Sequence, residues 1–328
     1  LDAYCNRSPF YIIVQEINDI KKYSSNIYYM GLNMKLDKGE KRKLLNDYLI
    51  IEQLGSGSFG EVYLAQYKGG GYVAVKVEEK KKVQRVYNEY KIYKHLHDNK
   101  FNTGLPKIYD YLQSDDYNIL VMQLLGPSLE DLFNKEHRRF KSNTVYLIAI
   151  QIITLLEKLH TSGYIHRDIK PNNFLIGRDE NMGQIYMMDF GLSKKYIEDN
   201  SHIKMKNGRS LIGTARYASV NMHMGFEPSR RDDLESVGYM LVYFLKGSLP
   251  WQGIKKKRKY KQIETIGDSK MCTSLENLCE DLPSCFKNYI KYCRKLKFDE
   301  TPDYNHMRNM FVKSSSSRHI EPKFEWIK

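Results

Sequence analysis

The five cysteines of this chain never stand at the short spacing of a structural zinc knuckle. Cys272, Cys279, Cys285 and Cys293 are separated by six, five and seven residues. The pattern around them, with Phe286, Tyr289 and Ile290, is helical, so they read as small buried thiols. A secretory leader is also missing, because Tyr11-Ile12-Ile13-Val14 is too short an apolar core and no small-residue cleavage site follows it. The odd thiol count and the missing leader argue for a reducing compartment, cytoplasmic and/or nuclear. The longest apolar stretch, Val145 to Leu156, is interrupted by Gln151 and Thr154 and is too short and polar to span a bilayer. With Ser142 to cap it and Gly163 to end it, it reads as a buried helix. The chain starts at Leu1, which reads as a piece of a longer protein.

Recognised nucleic-acid-binding motifs are absent too, although the formal net charge is +13. The densest basic run is Lys255-Lys256-Lys257-Arg258-Lys259, and only Tyr260 offers an aromatic face beside it. An anion site for acidic or phosphorylated ligands is the favoured reading. A solvated loop comes next, and a nuclear import signal last. At 41% hydrophobic and 28% charged, the composition suits a soluble enzyme, and 328 residues suffice for two lobes with a cleft.

What the chain does contain is His166-Arg167-Asp168-Ile169-Lys170-Pro171-Asn172-Asn173, followed sixteen residues after Asn173 by Asp189-Phe190-Gly191. These strings supply a carboxylate to orient a hydroxyl, a lysine beside it, and an amide and second carboxylate for metal. Phosphoryl transfer from ATP needs those groups and few others. Asp168 and Asn173 share one short loop, so both can reach the transferring phosphate. Upstream, Gly55-Ser56-Gly57-Ser58-Phe59-Gly60 is a glycine-rich string, which alone would fit a dinucleotide fold equally well. Its flanks decide. Tyr48-Leu49-Ile50-Ile51 precedes it, and Glu61 to Tyr67 follows with Val62, Leu64 and Tyr67 on near-alternating positions. That predicts strand–turn–strand, a flap whose backbone N–H groups approach phosphates. Val73-Ala74-Val75-Lys76 is then a buried strand whose lysine needs a partner. Glu89, in a helix expected from about Lys82 to Leu96, would pair with it while Lys76 contacts the α- and β-phosphates.

With these motifs the chain resembles the eukaryotic protein kinases, and within them the casein kinase 1 family. The narrower resemblance is carried by Leu124-Leu125-Gly126-Pro127-Ser128-Leu129-Glu130-Asp131-Leu132-Phe133 and by Gly213-Thr214-Ala215-Arg216-Tyr217-Ala218-Ser219-Val220-Asn221. Ser229 to Ser236, Gly247 to Gly253 and Phe298 to Tyr304 extend it. Most protein kinases have Ala-Pro-Glu where this chain has Ala218-Ser219-Val220-Asn221. The family resembled has Ser-Ile-Asn, from which Val220 is a small departure.

The resemblance implies an α+β, bilobal fold: a small lobe over 46–121 with an antiparallel sheet and one helix, a hinge over 122–126, and a mainly helical lobe over 127–312. An N-terminal extension over 1–45 and a short Ser-rich tail over 313–328 lie outside it. It implies a constitutively active, ATP- and Mg²⁺-dependent serine/threonine kinase acting on acidic or pre-phosphorylated proteins, with a monomer favoured. Catalytic roles fall to Asp168, Lys170, Asn173, Lys76, Glu89 and Thr214. ATP would lie against Leu54, Gly55, Ser56, Gly57, Ser58, Phe59, Gly60, Glu61, Val62, Ala74, Lys76, Leu125 and Leu175. Asn173 and Asp189 would hold Mg²⁺, and Arg209, Arg216 and Lys259 would form the substrate anion site. Asp233 would anchor the catalytic loop, with His166 and Phe190 as packing residues. A nucleotide-binding scaffold without transfer activity and a nucleic-acid-binding protein on the same fold are the rival readings.

Overall fold

The computed structural model describes residues 44–57, 60–80, 84–316 and 323–327. Nearly all of the N-terminal extension, Ser58 and Phe59 of the glycine-rich loop, Lys82 and part of the serine run lie outside them. The small lobe is one antiparallel sheet in the order β1-β2-β3-β4-β6-β5, where β1 is Leu44–Leu45, β2 Tyr48–Gly57, β3 Gly60–Tyr67, β4 Tyr72–Glu79, β5 Ile108–Gln113 and β6 Tyr117–Gln123. It starts two residues before 46, because Leu45 is buried on it, and β6 runs into the expected hinge. The glycine-rich string closes the β2–β3 hairpin, as the flanking sequence predicts. Alternation in β3 is less clean than expected. Tyr63 and Ala65 are buried on one face of the sheet and Leu64, against Leu54, on the other, and Tyr67 is exposed.

Strand periodicity sorts the small-lobe core. Val73, Val75 and Val77 of β4 join Ile119 and Val121 of β6 on one face. Ala74 falls on the other, with Leu120 and Met122, and period two puts Lys76 on that same face. The one small-lobe helix, α1 (Arg85–Asp98), buries Val86, Glu89, Ile92, Tyr93 and Leu96 along one stripe. It starts at Arg85 rather than Lys82. There the carboxylate of Glu78, at the end of β4, accepts from the N–H groups of Arg85 and Val86 and occupies two otherwise unpaired donors.

In the large lobe, α2 (Leu129–Lys135), α3 (Ser142–Thr161), α4 (Val220–His223), α5 (Arg230–Lys246), α6 (Lys259–Cys272), α7 (Leu275–Leu278), α8 (Ser284–Lys295) and α9 (Tyr304–Ser316) surround a common core. α3 is longer than its apolar run. By length and composition alone it could cross a membrane, yet Val145, Ile148, Ile152, Leu156 and Leu159 are fully buried against α5 and α9. Each such side chain contributes about 1.5–3 kcal/mol on burial. Lys141 is its N-cap and Ser142 its first residue, so the expected serine cap is absent. Gly163 does follow its end, at φ +85°. α5 begins at Arg230, where the Ser229 N–H donates to the Asp232 carboxylate. The segment after Val312 is not merely a loose tail: α9 runs on to Ser316, and Phe324 and Trp326 stack together with Trp326 against Phe140. Cys279, Cys285 and Cys293 are buried thiols as expected, but Cys272, at the end of α6, is exposed. The described residues hold no His/Cys/Asp/Glu cluster of metal-binding size.

Candidate active site

The cleft between the lobes gathers residues from five elements. From β4, Lys76 Nζ lies 2.6 Å from Glu89 Oε2 on α1 and 3.1 Å from Asp189 Oδ1. Glu89 is 1% exposed, so this buried ammonium does have the partner that its strand requires. Burial alone would lower the Lys76 pKa, but Asp189 and Glu89 hold it above the ordinary lysine value. Burial pushes Glu89 up, against the pull of Lys76. Burial would raise Asp189 too, yet Lys76 keeps it below the usual carboxylate value and ionised. The helix bearing Glu89 is pinned further by Tyr93, whose ring meets Phe190 edge-on at 4.9 Å. Phe190 is fully buried and also packs on His166, so both are packing residues.

The catalytic loop hangs from α5. Asp233 accepts the backbone N–H groups of His166 at 2.7 Å and Arg167 at 2.8 Å, and its Oδ2 lies 3.0 Å from His160 Nε2. Arg167 sits at φ +68°. A residue in that region costs of order 1–3 kcal/mol and persists only when its surroundings hold it, which the Asp233 carboxylate does. Asp168, 4% exposed, is gripped on both oxygens: Thr214 Oγ1 donates to Oδ1 at 2.7 Å and Lys170 Nζ to Oδ2 at 2.6 Å. Gly213 brings Thr214 this close. It lies at φ +81°, and a Cβ there would fall 2.3 Å from Arg167 O.

Asn173 Nδ2 donates to Asp168 O at 2.8 Å, which turns its Oδ1 away as a free hard acceptor. Asp189, at φ +64°, binds Lys76 through Oδ1. Two hard oxygen donors from the protein, with phosphate oxygens completing the shell, suit Mg²⁺ better than a softer metal. Above them, Gly60 at φ +121° would place a Cβ 2.2 Å from Val77 O, so only glycine closes the hairpin. Val62 and Leu175 are half-buried and Ala74 is 8% exposed, around the cleft's inner wall. Leu54 packs with Leu64 beneath the hairpin, and Glu61 accepts from Tyr63 Oη at 2.5 Å. Among the described residues Leu125 makes no backbone hydrogen bond through its N–H or C=O, which leaves both to an adenine edge.

The three residues of the expected anion site are placed differently from one another. Arg216 lies over the rings of Tyr217 and Tyr243 and forms no ion pair among the described residues. Lys259 is the exposed first residue of α6. Arg209 is already paired, its Nε 2.9 Å from Glu227 Oε2, while Lys194 Nζ lies 2.6 Å from the other oxygen of that carboxylate. Although burial opposes it, this pairing with Lys194 and then Arg209 keeps Glu227 below the ordinary glutamate pKa. The sequence reading missed Glu227, as it missed Trp251, whose Nε1 donates to Arg216 O at 2.7 Å. Neither has a local signal, since each acts on a backbone or charge far along the chain.

The chain matches the family model of the protein kinase domain over residues 48–308. It therefore belongs to the protein kinase family, whose members are ATP-dependent phosphotransferases acting on proteins.

Proposed function

We propose that this kinase phosphorylates serine and threonine in acidic or pre-phosphorylated proteins, needs no phosphate on its own activation segment, and is of the casein kinase 1 type. One observation carries the substrate class. Arg216 stands two residues from Thr214, which itself bonds Asp168, and it lies over two tyrosine rings with no ion pair among the described residues, Glu130 acting on it only from a distance. An anionic side chain a few residues before the acceptor hydroxyl would lie against it, with Lys259 as a second cation. Each charge-assisted contact is worth about 1.5–3 kcal/mol. The Lys194–Glu227–Arg209 cluster supports independence from phosphorylation, because a buried glutamate already neutralises cations that a phosphate would otherwise serve.

Within this reading Asp168 accepts or orients the substrate hydroxyl, and Thr214 and Lys170 hold its two oxygens at fixed angles. Lys170 also offsets charge on the γ-phosphoryl, while Lys76, fixed by Glu89, faces the α- and β-phosphates. Magnesium on Asp189 and Asn173 would neutralise β- and γ-phosphate charge. The test compares one peptide with Ser, phosphoserine, Asp or Lys three residues before the acceptor. The expected ranking is phosphoserine, Asp, Ser, Lys, compressed by salt, and Arg216→Ala should flatten the phosphoserine advantage. A preference for Lys would assign another specificity. Phosphatase-treated enzyme should keep its activity; its complete loss, restored by a second kinase, would reject the regulatory part.

A further inference from the structure

Lys270, near the end of α6, is fully buried, yet no carboxylate pairs with it among the described residues. Its Nζ donates to two backbone carbonyls, Ala215 O at 2.8 Å and Ala218 O at 2.5 Å. It also sits 4.9 Å over the Tyr239 ring and 5.1 Å over the Trp251 ring. Burying a lysine without an acid is costly, and two carbonyl acceptors with two aromatic faces are what offset that cost here. Burial lowers its pKa well below the ordinary lysine value.

What Lys270 grips is the run between Thr214 and α4, which has no helix or strand to hold it. The Thr214 carbonyl accepts the N–H groups of Tyr217 and Ala218, but those of Ala215, Arg216 and Ala218 go to side chains. Trp251 Nε1 donates to Arg216 O, and His223 Nε2 lies 3.1 Å from Ala215 O. Three side chains from three parts of the large lobe thus fix the backbone on both sides of Arg216. The same run begins at the residue that braces Asp168.

We propose that Lys270 is a positioning residue for the protein substrate, setting the backbone that aims Arg216 and keeps the Ala215–Ala218 run in register with Asp168. It touches neither nucleotide nor peptide; it acts through Arg216, and in that respect the proposal rests on the substrate reading above. Without the ammonium, the Ala218 carbonyl loses its donor and Ala215 O keeps only His223, so the segment must shift to find another partner for Ala218.

The full chain is assayed as wild type, Lys270→Met and Lys270→Arg, on a plain serine peptide and on its counterpart with phosphoserine three residues earlier. Lys270→Met should raise the peptide KM about tenfold and shrink the phosphoserine advantage, while the ATP KM moves less than about twofold. Lys270→Arg, which retains donors and charge, should recover most of the loss. An unchanged peptide KM, equal shifts in both KM values, or an arginine variant no better than methionine would overturn the proposal. If Lys270→Met does not fold, Trp251→Phe decides. It keeps an aromatic face but removes the donor to Arg216 O, and it should give the same split between peptide and ATP. Absence of a phosphoserine advantage in the wild type would reject the substrate class alone, because the plain peptide still tests Lys270.

Discussion

The nucleotide side of the cleft and the segment after Thr214 solve the same problem with different partners. On the nucleotide side the charges that line the cleft meet opposite charges: Lys76 with Glu89 and Asp189, and Lys170 with Asp168. Around Arg216 the cations meet neutral groups, Lys270 two carbonyls and two rings, Arg216 two rings. Carboxylates do pair with cations nearby, Glu227 with Lys194 and Arg209 at once, Asp232 with Arg231 and Glu235 with Arg294. The lesson concerns rigidity. Charge pairs hold groups that must not move while a phosphoryl passes, whereas carbonyl anchors fix a backbone and leave the side chain on it available to a ligand.

The comparison is broken most forcefully on the nucleotide side. Asp168→Asn should lower kcat by about a thousandfold or more, within the range that general-base loss spans, while ATP affinity stays close to wild type. Asp189→Asn should instead weaken Mg²⁺·ATP binding, because that carboxylate fixes Lys76 and, in the proposed function, would hold the metal. Titrating a fluorescent nucleotide in the presence and absence of Mg²⁺ separates the two. An Asp168→Asn enzyme with wild-type kcat would remove the assigned mechanism. Glu227→Gln acts on the other side and should be milder. It frees Lys194 and Arg209 and should lower kcat/KM for peptide by about tenfold, with Mg²⁺·ATP affinity unchanged. An equal loss in both would mean that the cluster only stabilises the fold.

The nucleotide side was legible in the sequence because its partners sit at short, fixed spacings. Asp168, Lys170 and Asn173 share one loop, and Lys76 and Glu89 one strand–helix unit. The apolar run Val73-Ala74-Val75 already implied that the lysine ending it needs a partner. The helices were legible from periodicity, but their first residues were not, since α1 starts where Glu78 from another strand supplies acceptors. The segment after Thr214 was read only in part. Arg216 stood out by its motif, but Arg209 looked equally available because nothing local announces Glu227, eighteen residues away. Lys270 drew no reading from the sequence at all. Its burial is a property of Trp251 and Tyr239 packing around it, which no window of sequence contains.

The smallest effect expected is one of pH, and it belongs to the segment after Thr214. Burial and the nearby Lys270 push the His223 pKa down to about 4 from its ordinary 6.5. Between those values the unfolded chain binds a proton that the folded protein refuses, so this group's contribution to stability is complete above pH 6.5 and is lost as the pH falls towards 4. Asp232 works in the opposite sense. Burial raises it to about 6, so the folded state takes up its proton first and gains stability as the pH falls through that value. The wild-type slope is therefore a partial cancellation, and the difference between wild type and His223→Gln isolates the histidine. Glutamine keeps a donor for Ala215 O but does not titrate. The Tm of His223→Gln should rise relative to wild type as the pH drops from 6.5 to 4, and the gap should level off above that range. At the acid end wild type should also lose peptide affinity before ATP affinity, because a charged His223 would repel Lys270, which shares the Ala215 carbonyl with it. A flat Tm difference, or parallel loss of both affinities, would show that the segment after Thr214 is no more acid-sensitive than the paired charges across the cleft.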